Sequence, residues 1–136
     1  LWYDLIMNKI FLIFILLFPL PLFAEWTFVT KNASGESFYV DFDRIKKHNG
    51  VVYHWALYDY LEQKSSGVFS SKLYIKVECK LVRRKVLRDV HYTGQMGEGT
   101  IRHSSNIPDK EWRYTSPESV DEKITEKVCS HWVIYK

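Results

Sequence analysis

The side chains that most often carry out catalysis or bind metals are scattered singly along this sequence. No two of its five histidines have the close spacing of a metal motif such as HExxH, and neither cysteine belongs to a CxxC pair. A Gly-x-Ser-x-Gly nucleophile motif is also missing. The sequence therefore predicts no catalytic residue, no metal site and no cofactor. We interpret the histidines as solvated or packed side chains: His48, His54, His91, His103 and His131.

Residues that are distant in the sequence could still meet across neighbouring strands. The candidates for such a site are His54, Glu78, Asp89 and His91. An enzyme would become a serious alternative if at least two of them shared one pocket.

The glycine-rich stretch Gly94–Gly99 could suggest a phosphate-binding loop. It lacks the Gly-Lys-Ser/Thr ending of such a loop, and no helix pattern follows it. We therefore predict a hairpin turn in which glycines supply positive φ angles.

A cluster of cations lies between positions 80 and 88. It could form a docking patch for an acidic polysaccharide or an acidic protein surface, or it could be a solvated strand end. Tyrosines nearby in the predicted sheet could form an exposed platform for a partner, or could lie beneath a helix. The candidate partner-binding residues are Lys80, Arg83, Arg84, Lys85, Arg88, Tyr58 and Tyr60. The formal net charge of +3 does not indicate nucleic-acid binding.

The elements that must position these side chains are mostly strands. Phe69–Cys79 alternates with period two, placing Leu73, Ile75 and Val77 on one face, which is typical of a half-buried strand. Val51–Leu61 is apolar on both faces, which predicts a central strand. Short turns link these and other β-type runs, so the sequence predicts an α+β fold with an antiparallel meander of about six strands.

Two segments depart from the strand pattern. Asp43–Lys47 is too short for a helix of its own, and we predict a single turn there. Ser116-Pro117-Glu118 has the residue types of a helix start, and Val120, Ile124 and Val128 form a narrow apolar stripe. On an ideal helix Cys129 would point about 140° away from that stripe. We therefore expect Cys129 in a distorted last turn or just beyond the helix, followed by an extended tail, Trp132–Tyr135.

The first residues have the features of an export signal. Met7-Asn8-Lys9 and the apolar run Ile10–Phe23 predict a signal peptide over 7–24 that is cleaved after Ala24, with an uncleaved anchor as the alternative. Residues 1–6 are interpreted as an over-extended reading frame, and 25–136 as one domain. In an exported protein the only two cysteines, Cys79 and Cys129, are expected to form a disulfide rather than remain as buried thiols.

Several segments recur in a characteristic order along the chain: Glu25-Trp26, Trp55–Tyr60, Ser70-Ser71-Lys72, Glu78-Cys79-Lys80, Tyr92–Gly99, Trp112, Ser116–Val120 and Cys129. Together they resemble the surface-adhesin protein E family of Gram-negative bacteria. The resemblance implies an antiparallel sheet with a C-terminal helix across one face, tied to it by the Cys79–Cys129 disulfide. It also implies a dimeric surface lipoprotein that binds host proteins such as laminin, vitronectin and plasminogen.

One feature departs from this family pattern. Glu25, and not a cysteine, directly follows Ala24, so no lipid anchor is evident and the mature protein is expected in the periplasm, secreted or at the cell surface. The resulting hypothesis is an exported, non-catalytic binding protein that acts as a monomer or a homodimer. Its partner is a protein, such as a host matrix protein, or an acidic polysaccharide. The alternative is a small periplasmic inhibitor or envelope accessory protein that acts through the loop Gln95–Glu98.

Overall fold

The computed structural model describes residues 1–7, 9 and 25–131. The apolar part of the predicted signal peptide, its cleavage point and the tail Trp132–Tyr135 lie outside these residues. Within the described segments, no helix is both long and apolar enough to cross a membrane. The boundary between leader and domain therefore stays a prediction.

One antiparallel sheet follows the chain in sequence order, which confirms the predicted meander. Six strands lie side by side as β1-β2-β3-β4-β5-β6, and a short seventh strand pairs with the start of β5. Alternating apolar residues form β4, and residues of both faces are buried in β3. The strands are β1 Thr27–Lys31, β2 Ser37–His48, β3 Val51–Asp59, β4 Ser70–Glu78, β5 Arg83–Tyr92, β6 Ile101–Ser105 and β7 Arg113–Tyr114.

The hairpin between β2 and β3 explains why the chain reverses so sharply. Asn49 and Gly50 are its two central residues, and both have positive φ angles, of 49° and 75°. A two-residue hairpin with positive φ at both positions matches the right-handed twist of the strands, and Asn-Gly is the pair that adopts it most easily. This turn fixes the register in which Val52 lies opposite Lys47.

The predicted turn at Asp43–Lys47 is wrong, because β2 continues as a strand through His48. The pairing with β3 is interrupted by a bulge between Asp41 and Lys46. The buried Asp41 carboxylate accepts the Asp43 N–H and pairs with Arg44, which supports the bulged backbone. Ile45 is thereby turned into the core.

The helix Val120–Ser130 begins later than the sequence predicted. Its N-cap is Ser119, whose hydroxyl accepts the Glu122 N–H, while the Glu122 carboxylate accepts the Glu118 N–H. Glu118 has a φ of 63° and cannot be helical. The Ser-x-x-Glu pair at 119 and 122 therefore determines the helix start.

The core lies between the helix and one face of the sheet. The helix lies across β1, β2 and β3, and its Ile124 and Val128 belong to this core, where each buried aliphatic side chain contributes about 1.5–3 kcal/mol. The sheet side of this core consists of Phe38, Val40, Ile45, Val52, Ala56, Ile75 and Val77.

A disulfide joins Cys79, directly after β4, to Cys129, with an S–S distance of 2.01 Å and a Cα–Cα distance of 5.8 Å. The prediction that Cys129 lies in a distorted turn or beyond the helix is wrong, because Cys129 belongs to the regular helix. The buried side of the helix includes Thr125 as well as Ile124 and Val128, so the contact stripe is wider than the aliphatic residues alone suggested. Cys129 lies one turn after Thr125 on that side.

Candidate functional site

The face of the sheet opposite the C-terminal helix, which we call the outer face, carries a layer of aromatic rings and cations. Side chains alternate along each strand, so the neighbours of core residues on β3, β4 and β5 must point to this face. Trp55 and Tyr74 are directly paired across β3 and β4, and their ring centroids are 5.1 Å apart. The half-buried rings are Trp26, Tyr53, Trp55, Tyr74, Tyr92 and Trp112, and the cations are Lys72, Lys76, Arg83, Lys85 and Arg88.

The rings separate the cations from one another. Trp112 is the centre of this arrangement, with the Arg83 Cζ 4.6 Å, the Lys85 Nζ 5.2 Å and the Lys76 Nζ 5.4 Å from its ring centroid. At the other end of the face, the Lys72 Nζ lies 4.8 Å from the Tyr92 centroid. Each such contact contributes about 0.5–1 kcal/mol at an exposed site. The aromatic layer thus holds several like charges on one surface.

Acidic residues neutralise only part of this charge. Arg83 donates two hydrogen bonds to the Glu78 carboxylate, at 2.9 Å and 2.7 Å. Between residues 25 and 131, no carboxylate oxygen lies within 4.0 Å of four of the cations: Lys72, Lys76, Lys85 and Arg88. Burial lowers the pKa of Lys72, and the nearby Arg44 charge lowers it further, while Glu98 opposes the shift. The outer face is therefore positively charged and complementary to an acidic surface.

A depression of about 410 Å³ adjoins the outer face at the β2 bulge. Trp55 and Tyr74 form one wall, and the segment Asp43–Lys46 forms the other. The depression exists because the bulge carries β2 away from a straight course at this point. It gives the otherwise sheet-like surface a concave position into which a partner side chain could insert.

Comparison with known proteins relates this arrangement to one family. A family model described as surface-adhesin protein E matches residues 26–130. The chain belongs to this family. Crystal form II of Haemophilus influenzae protein E has a TM-score of 0.62 and 16% identity, covering 85% of this chain and 94% of that one. A second structure of protein E from the same organism has a TM-score of 0.60 and 16% identity, covering 84% and 90%.

At this level of identity the structural likeness concerns the fold alone. A search of curated protein sequences gives no significant match. Family membership and fold agree with the resemblance seen in the sequence. The site must therefore be argued from the residues of this chain.

The structure divides the predicted basic cluster between two faces. Arg83, Lys85 and Arg88 lie on the outer face, and Lys80 is exposed in the turn before β5. Arg84 points to the opposite face, where its Nη2 donates to the Asp121 Oδ2 of the helix at 2.6 Å. The register of β5, which pairs Arg83 with Glu78 and Arg84 with Val77, causes this division. Arg84 therefore anchors the helix and takes no part in the outer face.

The two predicted tyrosines also lie away from the outer face. Tyr58 lies beneath the helix and donates a hydrogen bond to the Asp121 Oδ1 at 3.1 Å, and burial raises its pKa. Tyr60 lies at the end of β3, where its hydroxyl is 3.2 Å from the Ser71 hydroxyl and the Lys64 ammonium is 4.6 Å from its ring centroid. Of the two alternatives for Tyr58, the structure favours a position under the helix.

The predicted partner-binding residues include only three of the eleven outer-face side chains: Arg83, Lys85 and Arg88. Lys72 and Lys76 alternate with buried residues on β4, and this period-two pattern could have identified them. Trp112 gave no such signal, because it lies outside any strand and reaches the outer face only when β7 pairs with β5.

The candidate catalytic residues are only partly brought together. The His91 Nε2 is 3.1 Å from the Asp89 Oδ1, and its Nδ1 is 2.7 Å from the Ser71 Oγ. Ser71 is completely buried, so a substrate has no access to this hydroxyl. His54 lies in the core, where burial and the Arg84 charge lower its pKa to about 4, and Glu78 pairs with Arg83. Across the described part of the chain, no three His, Cys, Asp or Glu residues are grouped so that they could hold a metal ion.

The loop proposed for inhibition of a partner enzyme is fastened to the sheet. Gln95–Gly97 forms a single 3-10 turn. The Met96 N–H donates to the Asp59 Oδ1 at 2.7 Å, and the Gly97 N–H donates to the Ser70 Oγ at 2.8 Å. These bonds anchor the middle of the loop, while the side chains of Gln95 and Glu98 are exposed, and the inhibitor alternative stays a prediction.

Proposed function

We propose that this chain is an exported, non-catalytic binding protein whose outer face holds an acidic surface of a partner protein. The observation that supports this function is the outer face itself, where four cations without carboxylate partners alternate with half-buried rings. Tryptophan, tyrosine and arginine are the residue types that most often dominate binding energy at protein interfaces. Membership of the surface-adhesin protein E family supports the same class of function.

Host extracellular-matrix and plasma proteins are the first partners to test, because the family is one of surface adhesins. Acidic side chains of such a partner would meet Lys72, Lys76 and Arg88, while an apolar side chain would enter the depression beside Trp55. Unpaired cations accelerate association with an acidic surface and make it sensitive to salt. We therefore expect the rate of association to fall steeply as the ionic strength rises.

Export to the periplasm, the medium or the cell surface belongs to the same proposal. It rests on the predicted signal peptide and on the disulfide, which is typical of oxidising compartments. A homodimer would be compatible with the edge strand β6, whose first four residues are all exposed. Light scattering of the purified chain tests the homodimer independently of ligand binding.

The experiment that tests the function is binding of the full chain, as it is recovered from the producing cells, to immobilised matrix and plasma proteins. Heparin and an acidic control protein serve as further surfaces. Saturable binding to at least one matrix or plasma protein, weakened at least ten-fold between 50 and 300 mM salt, supports the proposal. Binding to heparin alone would point to an acidic polysaccharide, and binding to none of the surfaces would reject an adhesive function.

A further inference from the structure

A second depression, of about 360 Å³, lies on the other side of the sheet from the outer face. Adjacent residues of β5 point in opposite directions, so Tyr92 contacts Lys72 on the outer face while His91 contacts Ser71 on this side. Tyr60, Val68 and His91 are buried or half-buried and form the floor of the depression. Lys64, Arg102 and His103 are exposed and form its rim.

The floor is held in place by a chain of polar contacts. The Tyr60 hydroxyl is 3.2 Å from the Ser71 Oγ, which is 2.7 Å from the His91 Nδ1, and the His91 Nε2 is 3.1 Å from the Asp89 carboxylate. The Tyr60 hydroxyl and both ring nitrogens of His91 take part in these contacts. The Lys64 ammonium lies over the Tyr60 ring and the His103 ring stacks on His91, so the floor offers a ligand the remaining surface of these two rings together with the aliphatic Val68.

The rim carries a cation that is not neutralised. The Lys64 ammonium pairs with the Glu36 carboxylate, so little of its charge is left for a ligand. Arg102 donates from Nε to the Ser66 carbonyl at 3.1 Å, and no carboxylate of residues 25–131 lies within 4.0 Å of it. The His103 ring stacks on His91 with centroids 5.9 Å apart, so it lies beside the same opening.

We propose that this depression binds a small organic carboxylate that carries a six-membered ring. The ring lies on Tyr60, Val68 and His91, and the carboxylate meets the guanidinium of Arg102 and the imidazole of His103. Guanidinium groups bind carboxylates through paired, charge-assisted hydrogen bonds. An apolar floor with a few polar groups at the opening is the usual composition of a small-molecule site, and the volume is at the lower end of the usual range.

Titration of the full chain with four probes tests this site by calorimetry and by NMR of the histidine side chains. Benzoate and glucuronate carry a ring and a carboxylate, whereas benzyl alcohol lacks the charge and acetate lacks the ring. We expect benzoate, glucuronate or both to bind about ten-fold more tightly than the other two probes. Tighter binding of benzoate would indicate an aromatic ligand, and tighter binding of glucuronate would indicate a sugar ligand.

Variants show whether binding occurs at the proposed place. Arg102→Gln should weaken binding about ten-fold, whereas the matched change of an exposed arginine on β7, Arg113→Gln, should have no effect. Tyr60→Phe, which keeps the ring, should retain affinity. Equal affinity for acetate and benzoate, unchanged binding by Arg102→Gln, or no binding of either ring carboxylate would overturn the proposal. None of these results depends on the outer face.

Discussion

Removal of the disulfide should weaken this domain more than any other single change to its covalent structure. The bridge closes a loop with a sequence separation of 50 residues. In the chain-entropy relation, the loss of such a cross-link costs about 4 kcal/mol of unfolding free energy. The total free energy of unfolding of a domain of this size is about 5–15 kcal/mol, so the change removes a large share of its stability. The helix should loosen first, because only Ile124, Thr125 and Val128 are buried in it.

The test is urea unfolding of the double variant Cys79→Ala/Cys129→Ala. Alanine is chosen because both positions are half-buried against the core, where a serine hydroxyl would add an unsatisfied polar group. With a slope of about 2 kcal/mol per molar urea, the midpoint should fall by about 2 M. Hydrogen exchange should show that helix amides lose protection before those of β3 and β4. A loss below about 1 kcal/mol, or equal loss of protection in helix and sheet, would refute this reasoning.

Two further predictions concern the polar groups beneath the helix. Asp121→Asn removes the charged partner of Arg84, whose side chain is only 11% exposed. In urea unfolding it should lower the free energy of unfolding by about 2 kcal/mol. The exposed control Glu126→Gln should lower it by less than about 0.5 kcal/mol. His54 has a pKa of about 4 in the fold and 6.5 as its ordinary value, so the unfolded chain binds its proton more tightly. Above pH 6.5 His54 is neutral in both states and does not lower the free energy of unfolding. As the pH falls from 6.5 towards 4, protonation of the unfolded chain lowers the free energy of unfolding by about 3 kcal/mol. His54→Leu should remove that part of the pH dependence, and parallel pH profiles of the two proteins would contradict the assignment.

Local patterns in the sequence were sufficient to predict the sheet. Period-two alternation predicted β4 and its inward residues, and Asn49-Gly50 is the residue pair typical of the hairpin that precedes β3. The helix start was wrong because Ser116-Pro117-Glu118 and Ser119 with Glu122 both fit capping rules. The choice depends on hydrogen bonds that only the folded backbone reveals.

The outer face was harder to predict because it depends on register. The sequence analysis grouped neighbouring cations into one cluster that includes Arg83, Arg84, Lys85 and Arg88. The position at which β5 begins to pair with β4 decides which of these side chains point to the outer face. Bulges change that direction again, as they do between Tyr74 and Ile75. Trp112 joins the face only through a tertiary contact. Patterns along the chain therefore identified the strands, and pairing between strands determined the binding surface.

Charge reversal on the outer face tests the account most directly. The full chain is compared with Lys76→Glu/Arg88→Glu and with the matched control Lys47→Glu/Lys123→Glu, whose exposed lysines lie away from the outer face. Both variants change the net charge equally. The test uses any matrix or plasma protein that binds the unchanged chain. The outer-face variant should associate with it at least ten-fold more slowly, and its association rate should lose most of its salt dependence. The association rate of the control should change less than about two-fold. Equal binding by the two variants would contradict the claim that this face holds the partner.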